Sequence, residues 1–140
     1  MPDDSSPATA PLFRIPVRVY WEDTDAGGVV FYANYLKFFE RARTEWLRAR
    51  GFDQERLRHE AGVVFVVAQA AVRYLRPARL DDLLEITVDV RHAGQASIQI
   101  AQQALCNGHV LAEGDIKIGC VEVQAFAPRR IPAGILQEIT

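Results

Sequence analysis

One contrast limits the folds open to this chain more than any other feature. Residues 33–50 carry its single long amphipathic helix pattern, and almost everything after residue 62 reads as strand. At helical spacing Tyr35, Leu36, Phe38, Phe39, Ala42, Trp46, Leu47 and Ala49 share one half of the wheel. Lys37, Glu40, Arg41, Thr44, Glu45 and Arg48 take the other. Arg43 intrudes on the apolar half, placed for a buried ion pair with Glu40 or with an acid of the preceding turn. Gly51 stands where a helix C-terminal cap belongs.

Four strand patterns follow: "VVFVVAQAAVRYL" (63–75), "LLEITVDVR" (83–91), "ASIQIAQQALC" (96–106) and "HVLAEGDIKIGCVEV" (109–123). A fifth, "IPVRVYWE" (15–22), precedes the helix and alternates Val17, Val19 and Trp21 against Arg18, Tyr20 and Glu22, a half-buried strand. The connections are short, so consecutive strands are expected to run antiparallel. The predicted class is α+β: a five-stranded antiparallel sheet with one long helix. One helix covers only one sheet face, yet residues 63–72 are apolar on both. Such a strand is usually buried on both sides, so the missing cover is expected from a second copy, in a homo-oligomer.

A length of 140 residues fits a single domain. The net charge of −2 argues against a nucleic-acid partner, although a few local arginines would suffice for a phosphate-bearing small ligand. Residues 1–12, "MPDDSSPATAPL", lack the basic and apolar regions of a signal peptide. No later stretch has the ~18 apolar residues of a membrane span. The expectation is a flexible tail over 1–12, a folded domain over 13–140 and a cytoplasmic protein. Asn107-Gly108 between two apolar runs signals a two-residue hairpin, which sets Cys106 opposite His109 and Cys120 opposite Gln95. The two sulfurs then do not meet, and reduced thiols are expected.

Several chemistries lack their residues. There is no Gly-rich phosphate loop and no Gly-x-Ser-x-Gly elbow, and the three histidines are scattered. No metal site is expected. What remains is "EDTDAGGVV", residues 22–30, where Glu22, Asp23 and Asp25 crowd the entrance to the helix. Aspartates before glycine commonly make side-chain-to-backbone bonds in turns. Alternatively, Asp25 sits beside glycines that let a ligand approach, and beside a helix N-terminus whose free N–H groups favour developing negative charge. A carboxylate next to such an anion hole is a workable hydrolytic pair. The residues alone leave both readings open.

The stretch "VYWEDTDAGGVVFYANYLKFFERARTEWLR", continued by "RYLRPARLDDLLEI", closely resembles the YbgC-type acyl-CoA thioesterases, of the 4-hydroxybenzoyl-CoA thioesterase group. That resemblance implies a hot-dog fold, in which a curved antiparallel sheet wraps one long helix. It also implies dimers or tetramers with the thioester site at the subunit interface, an acyl-CoA substrate, and no metal or redox cofactor. The family's aspartate, nucleophile or general base, maps to Asp25, and its carbonyl-polarising backbone N–H maps to Tyr32. Asp23 is then a turn residue. Val30 and Phe31 fall beside the substrate, and Arg91 (with His92), Arg129 and Arg130 are the candidates for CoA phosphates. Two positions depart from the usual pattern: Trp21 stands where many relatives have Tyr, and Tyr32 where many have His. No histidine is therefore available here as acid or base, and the site must lean on one carboxylate and the backbone. A non-catalytic acyl-CoA-binding module is the rival reading; a hot-dog dehydratase is disfavoured because it needs that histidine.

Overall fold

The apolar stripe forms helix α1, Asn34–Ala49, in a computed structural model that describes residues 12–139. Tyr35, Phe38, Phe39, Ala42, Trp46 and Leu47 are buried as their spacing predicts, while Leu36 and Ala49, at the margins of the stripe, are exposed. Gly51 follows the helix with φ 87°, the left-handed conformation of a helix terminator. A second, short helix that the stripe analysis does not anticipate, α2, spans Gln54–Glu60. Its signal is local: the Asp53 side chain accepts the Glu55 and Arg56 N–H groups, satisfying donors that a helix start leaves free.

Five strands wrap α1: β1 Phe13–Arg18, β2 Val63–Tyr74, β3 Leu83–Ala93, β4 Ser97–Cys106 and β5 His109–Glu122. A last helix, α3, spans Ala133–Ile139. The sheet order is β1-β3-β4-β5-β2, and every pair is antiparallel. This is the five-stranded antiparallel sheet that the strand patterns predict, in the curved hot-dog arrangement that the family resemblance implies. The core lies between α1 and inward-facing Leu84, Ile86, Val88, Ile98, Ile100, Ile116 and Ile118. Burying each such side chain contributes about 1.5–3 kcal/mol. The expectation that consecutive strands run antiparallel holds from β2 through β5, although β2 and β3 are not neighbours in the sheet. β2 pairs with β5 at one edge, and residues 75–82 cross the end of the sheet to reach β3. That crossing is what the candidate site is built against.

Three further expectations are corrected. β1 ends at Arg18, so Trp21 belongs to a short 3-10 turn, Trp21–Asp23, and is 79% exposed instead of sharing the buried face of Val17 and Val19. Asn107 (φ 51°) and Gly108 (φ 80°) form the hairpin turn, and Cys106 does pair with His109. An irregularity between Ala104 and Leu105 then shifts the register by one, so the Cys120 N–H meets the Ala96 carbonyl and not Gln95. Both thiols are free, Cys120 buried. Finally, Arg43 is buried, but its partner is neutral. Its Nη1 donates to Gln102 Oε1 at 2.9 Å, and Gln102 Nε2 donates to the carbonyls of Phe39 (3.0 Å) and Thr87 (3.2 Å). Among the described residues no carboxylate lies within ion-pair distance of Arg43. Burial pushes its guanidinium below its ordinary range, which the charge of Glu40 partly offsets.

Strand β2 runs along an edge, and most of its apolar residues beyond Val66 face outward, Val67 being 51% exposed. The doubly apolar pattern is therefore left uncovered within one chain. The expected tail, residues 1–12, lies outside the described residues apart from Leu12.

Candidate active site

The site is a loop held between the sheet end and the start of α1. After β1, Val19 is fully buried and anchored to the crossing segment: its N–H donates to the Asp82 carbonyl (2.9 Å) and its carbonyl accepts from the Asp81 N–H (3.0 Å). The 3-10 turn closes through Asp23, whose Oδ2 accepts the Tyr20 N–H at 2.8 Å while its own N–H donates to the Tyr20 carbonyl. Asp23 is thus the turn-forming acid, as its position suggested. Thr24 bridges to Val30, and the Asp25 N–H donates to the Val29 carbonyl at 2.9 Å. A tight turn, residues 25–28, closes when the Gly28 N–H reaches the Asp25 carbonyl at 3.0 Å.

Asp25 occupies the first corner of that turn. Its Oδ1 accepts the Gly27 N–H at 2.8 Å, and among the described residues no ion pair or further donor engages the carboxylate. A side chain at Gly27 would put its Cβ 3.2 Å from that same oxygen, so glycine keeps the carboxylate's flank open. The turn reading therefore applies to Asp25 as well: Oδ1 shapes the turn, and Oδ2 accepts no bond among the described residues. The carboxylate is exposed, in a hollow walled by Trp21, Thr24, Ala26, Gly28 and Leu80.

The return limb brings in the helix start. Val29 bridges to Arg79, and the buried Val30 donates its N–H to the Ala78 carbonyl at 2.8 Å. Phe31 donates to the Asp23 carbonyl at 2.9 Å, and the Asn34 side-chain amide donates to the same oxygen at 2.9 Å. The Asp23 backbone thus ties the carboxylate turn to the first residue of α1. Tyr32 lies two residues before α1, and its N–H, like that of Ala33, has no acceptor among the described residues. The N-cap, Ala33, supplies no side-chain acceptor, and the first turn carries no acid to compete with an incoming anion. The Tyr32 ring is 62% exposed and packs against Phe31 and Tyr74. A cleft of about 290 Å³ opens beside it, lined by Val30, Tyr35, Tyr74, Leu75, Arg76 and Pro77.

The structure therefore brings together Asp25, Val30, Phe31 and Tyr32. It does not bring Arg91, Arg129 or Arg130 to them within one chain. Arg91 lies near the far end of β3, where it pairs with Asp89 at 3.3 Å. At ~3.3 Å per residue that is roughly 26 Å along the strand from Leu83, the end nearest Asp25. Arg129 and Arg130 sit at that same far end, next to Cys120, and make no ion pair among the described residues. A separate groove of about 280 Å³ between α1 and β2, lined by Arg43, Thr44, Phe65 and Val67 among others, contains neither Asp25 nor Tyr32. Sequence reasoning missed Asn34 and Tyr74. The signals available were an Asn at the head of the helix and a Tyr closing a strand just before Arg-Pro-Ala-Arg.

With this geometry in place, comparison with known proteins is direct. A model of the thioesterase-like superfamily matches residues 19–139. The acyl-CoA thioester hydrolase YbgC of Escherichia coli O6:H1 is 45% identical over 128 residues, covering 91% of this chain and 95% of that protein. The acyl-CoA thioesterase YbgC of Haemophilus influenzae is 45% identical over 120 residues, 86% of this chain and 88% of its own. Among solved structures, a probable thioesterase from Bartonella henselae superposes with a TM-score of 0.82 at 34% identity, covering 87% of this chain and all of that one.

Proposed function

Belonging as it does to the thioesterase-like superfamily, and within it to the YbgC-type enzymes, the chain is a thioester hydrolase, and we propose that it cleaves acyl-CoA esters through Asp25. The observation that supports this role is the pairing of an exposed carboxylate with an unbonded N–H at Tyr32, on a loop whose two limbs are tied together where Phe31 and Asn34 donate to the Asp23 carbonyl. The thioester carbonyl oxygen points at the Tyr32 N–H, where the positive end of α1 stabilises the oxyanion. Asp25 either attacks the carbonyl carbon or takes a proton from an attacking water. In the first case the C–S bond breaks, the CoA thiolate leaves and water hydrolyses the mixed anhydride; in the second, acid and thiol form directly. Neither route requires a metal or redox cofactor.

The site is completed by a second copy in this reading. β2 is an uncovered apolar edge with Tyr74 at one end and Val63, beside Glu122, at the other. An antiparallel pairing of two β2 edges sets the Tyr74 end of each chain against the Val63 end of its partner. That brings the arginine-bearing end of one copy toward Asp25 of the other, where Arg91, Arg129 and Arg130 serve the CoA phosphates.

The test is thiol release from a panel of acyl-CoAs, aliphatic and aromatic, with wild type and Asp25→Asn. The variant is expected to fold and to lose at least ~100-fold in rate, the scale of a central acid–base or nucleophilic group. Asp23→Asn, altering a turn residue, is expected to lose far less. Equal turnover by wild type and Asp25→Asn overturns the assignment, and an inert wild type favours a binding module.

A further inference from the structure

Residue 32 is held from one side only. Its N–H is unbonded, and its carbonyl accepts a single bond among the described residues, from the Tyr74 hydroxyl at 3.0 Å. The neighbouring tethers bypass it: Phe31 and Asn34 are tied to the Asp23 carbonyl, and the Asn34 N–H to the Phe31 carbonyl. Tyr74 is the last residue of β2, paired with Ala112, so the hydroxyl is delivered from the rigid sheet. Its ring is wedged against Tyr35 (centroids 5.5 Å apart) and meets Tyr32 edge-on at 6.1 Å. Tyr35 is itself fixed: it is buried, and its hydroxyl accepts the Ala78 N–H at 3.3 Å. A chain of two aromatic rings thus runs from the crossing segment to the carbonyl of residue 32.

We propose that Tyr74 is a positioning residue, whose hydroxyl fixes the backbone of residue 32 so that its N–H meets the oxyanion as charge develops. The inference rests on the proposed role of the Tyr32 N–H. An oxyanion donor is effective only if it does not have to reorganise as charge forms, and an unpinned residue just ahead of a helix, with no side-chain cap, has that freedom. The phenol is suited to the task. Burial and the nearby Tyr32 hydroxyl push it above its ordinary value, so it stays a neutral donor throughout the working pH range. Because the bond is made to backbone and not to substrate, its effect falls on the rate of the chemical step and not on substrate capture.

The experiment compares full-length wild type, Tyr74→Phe and Asp25→Asn on one acyl-CoA ester that wild type hydrolyses. Tyr74→Phe keeps the ring and removes only the hydroxyl. Its kcat is expected to fall about tenfold, the scale of one neutral hydrogen bond, with KM within about twofold. Its urea midpoint and the shape of its pH–kcat profile should match wild type. If Asp25→Asn is inert while Tyr74→Phe turns over within about twofold of wild type, the positioning role is overturned and the Asp25 reading stands. A fall in kcat accompanied by a rise in KM and a lowered urea midpoint also overturns it, since that is the pattern of a packing residue. Full activity in Asp25→Asn removes the parent reading and this inference together.

Discussion

The buried Arg43–Gln102 pair gives the most demanding test of how this core is assembled. Gln102 is 1% exposed and spends all three of its bonds inside: one accepted from Arg43 and two donated to the Phe39 and Thr87 carbonyls. Arg43 is 8% exposed and carries a permanent charge against this neutral partner. Replacing Gln102 with Leu keeps the volume but strands the guanidinium. A hydrogen bond to a charged group contributes about 1.5–3 kcal/mol, and the two deserted carbonyls add roughly 1 kcal/mol. The expected loss is about 2.5–4 kcal/mol, near the range for breaking a buried polar pair from one side. Arg43→Met removes the charge itself and leaves only the Gln102 oxygen unsatisfied, so its expected loss is smaller, about 1–2 kcal/mol.

The decisive variant is the double, Arg43→Met with Gln102→Leu. Both polar partners are gone, apolar atoms fill the space, and the loss should be no greater than for Gln102→Leu alone, about 2 kcal/mol. Urea unfolding of all four proteins, followed by circular dichroism, gives the coupling directly, provided the slopes agree. A coupling of about 2–3 kcal/mol is expected. Additive losses, within about 0.5 kcal/mol, would falsify the account: Arg43 would then be held by its stem packing and not by Gln102.

Two further outcomes follow from close contacts elsewhere. A Cβ at Gly114 would stand 2.8 Å from Phe39 Cε2 and 3.1 Å from Cδ2. Phe39 is fully buried, so Gly114→Ala should destabilise by about 1–3 kcal/mol in urea, partly relieved by Phe39→Leu. Glu122 accepts the N–H groups of Ala125 (2.7 Å) and Gln124 (3.1 Å), which hold its carboxyl below its ordinary value of 4.5. A depressed folded-state value means stabilisation that is present above 4.5 and lost as pH falls through the folded value. Wild type should therefore exceed Glu122→Gln in urea midpoint at neutral pH, and the two should converge on acidification; a gap independent of pH refutes the assignment.

What the sequence made legible was whatever is written within a few residues. The stripe of α1, the Asn107-Gly108 turn and the division of labour between Asp23 and Asp25 are short-range statements, and the structure agrees with the first two and with Asp23 as the turn former. What escaped is either a local detail that no apolar pattern announces or a contact with a partner far away in the chain. Alternation carries Trp21 into a buried strand face, but the Asp23 carboxylate captures the Tyr20 N–H and turns the chain first. An irregularity at Ala104/Leu105 moves Cys120 by one residue, which no pattern of apolar residues announces. Arg43 looked in need of an acid because its neighbours along the helix include Glu40; its partner is supplied 59 residues later. Tyr74, too, reaches Tyr32 across 42 residues.

Two mismatches between the sequence reading and the single chain have one resolution on the proposed mechanism. The strand expected to be buried on both faces is an uncovered edge, and the arginines expected to serve the substrate lie at the end of the sheet away from Asp25. Taken separately, the first is an aggregation hazard that proteins normally blunt with charge or proline, and residues 63–72 contain neither. Taken separately, the second leaves the arginines expected to hold the substrate's phosphates away from the carboxylate. Pairing two β2 edges antiparallel removes both difficulties with one operation, because a twofold axis exchanges the two ends of the strand. It also places Tyr74 at the junction. The residue whose hydroxyl bonds the Tyr32 carbonyl closes the same strand that this pairing would join to a partner, so on the proposed mechanism assembly of the pair and alignment of the oxyanion donor would share a single structural element.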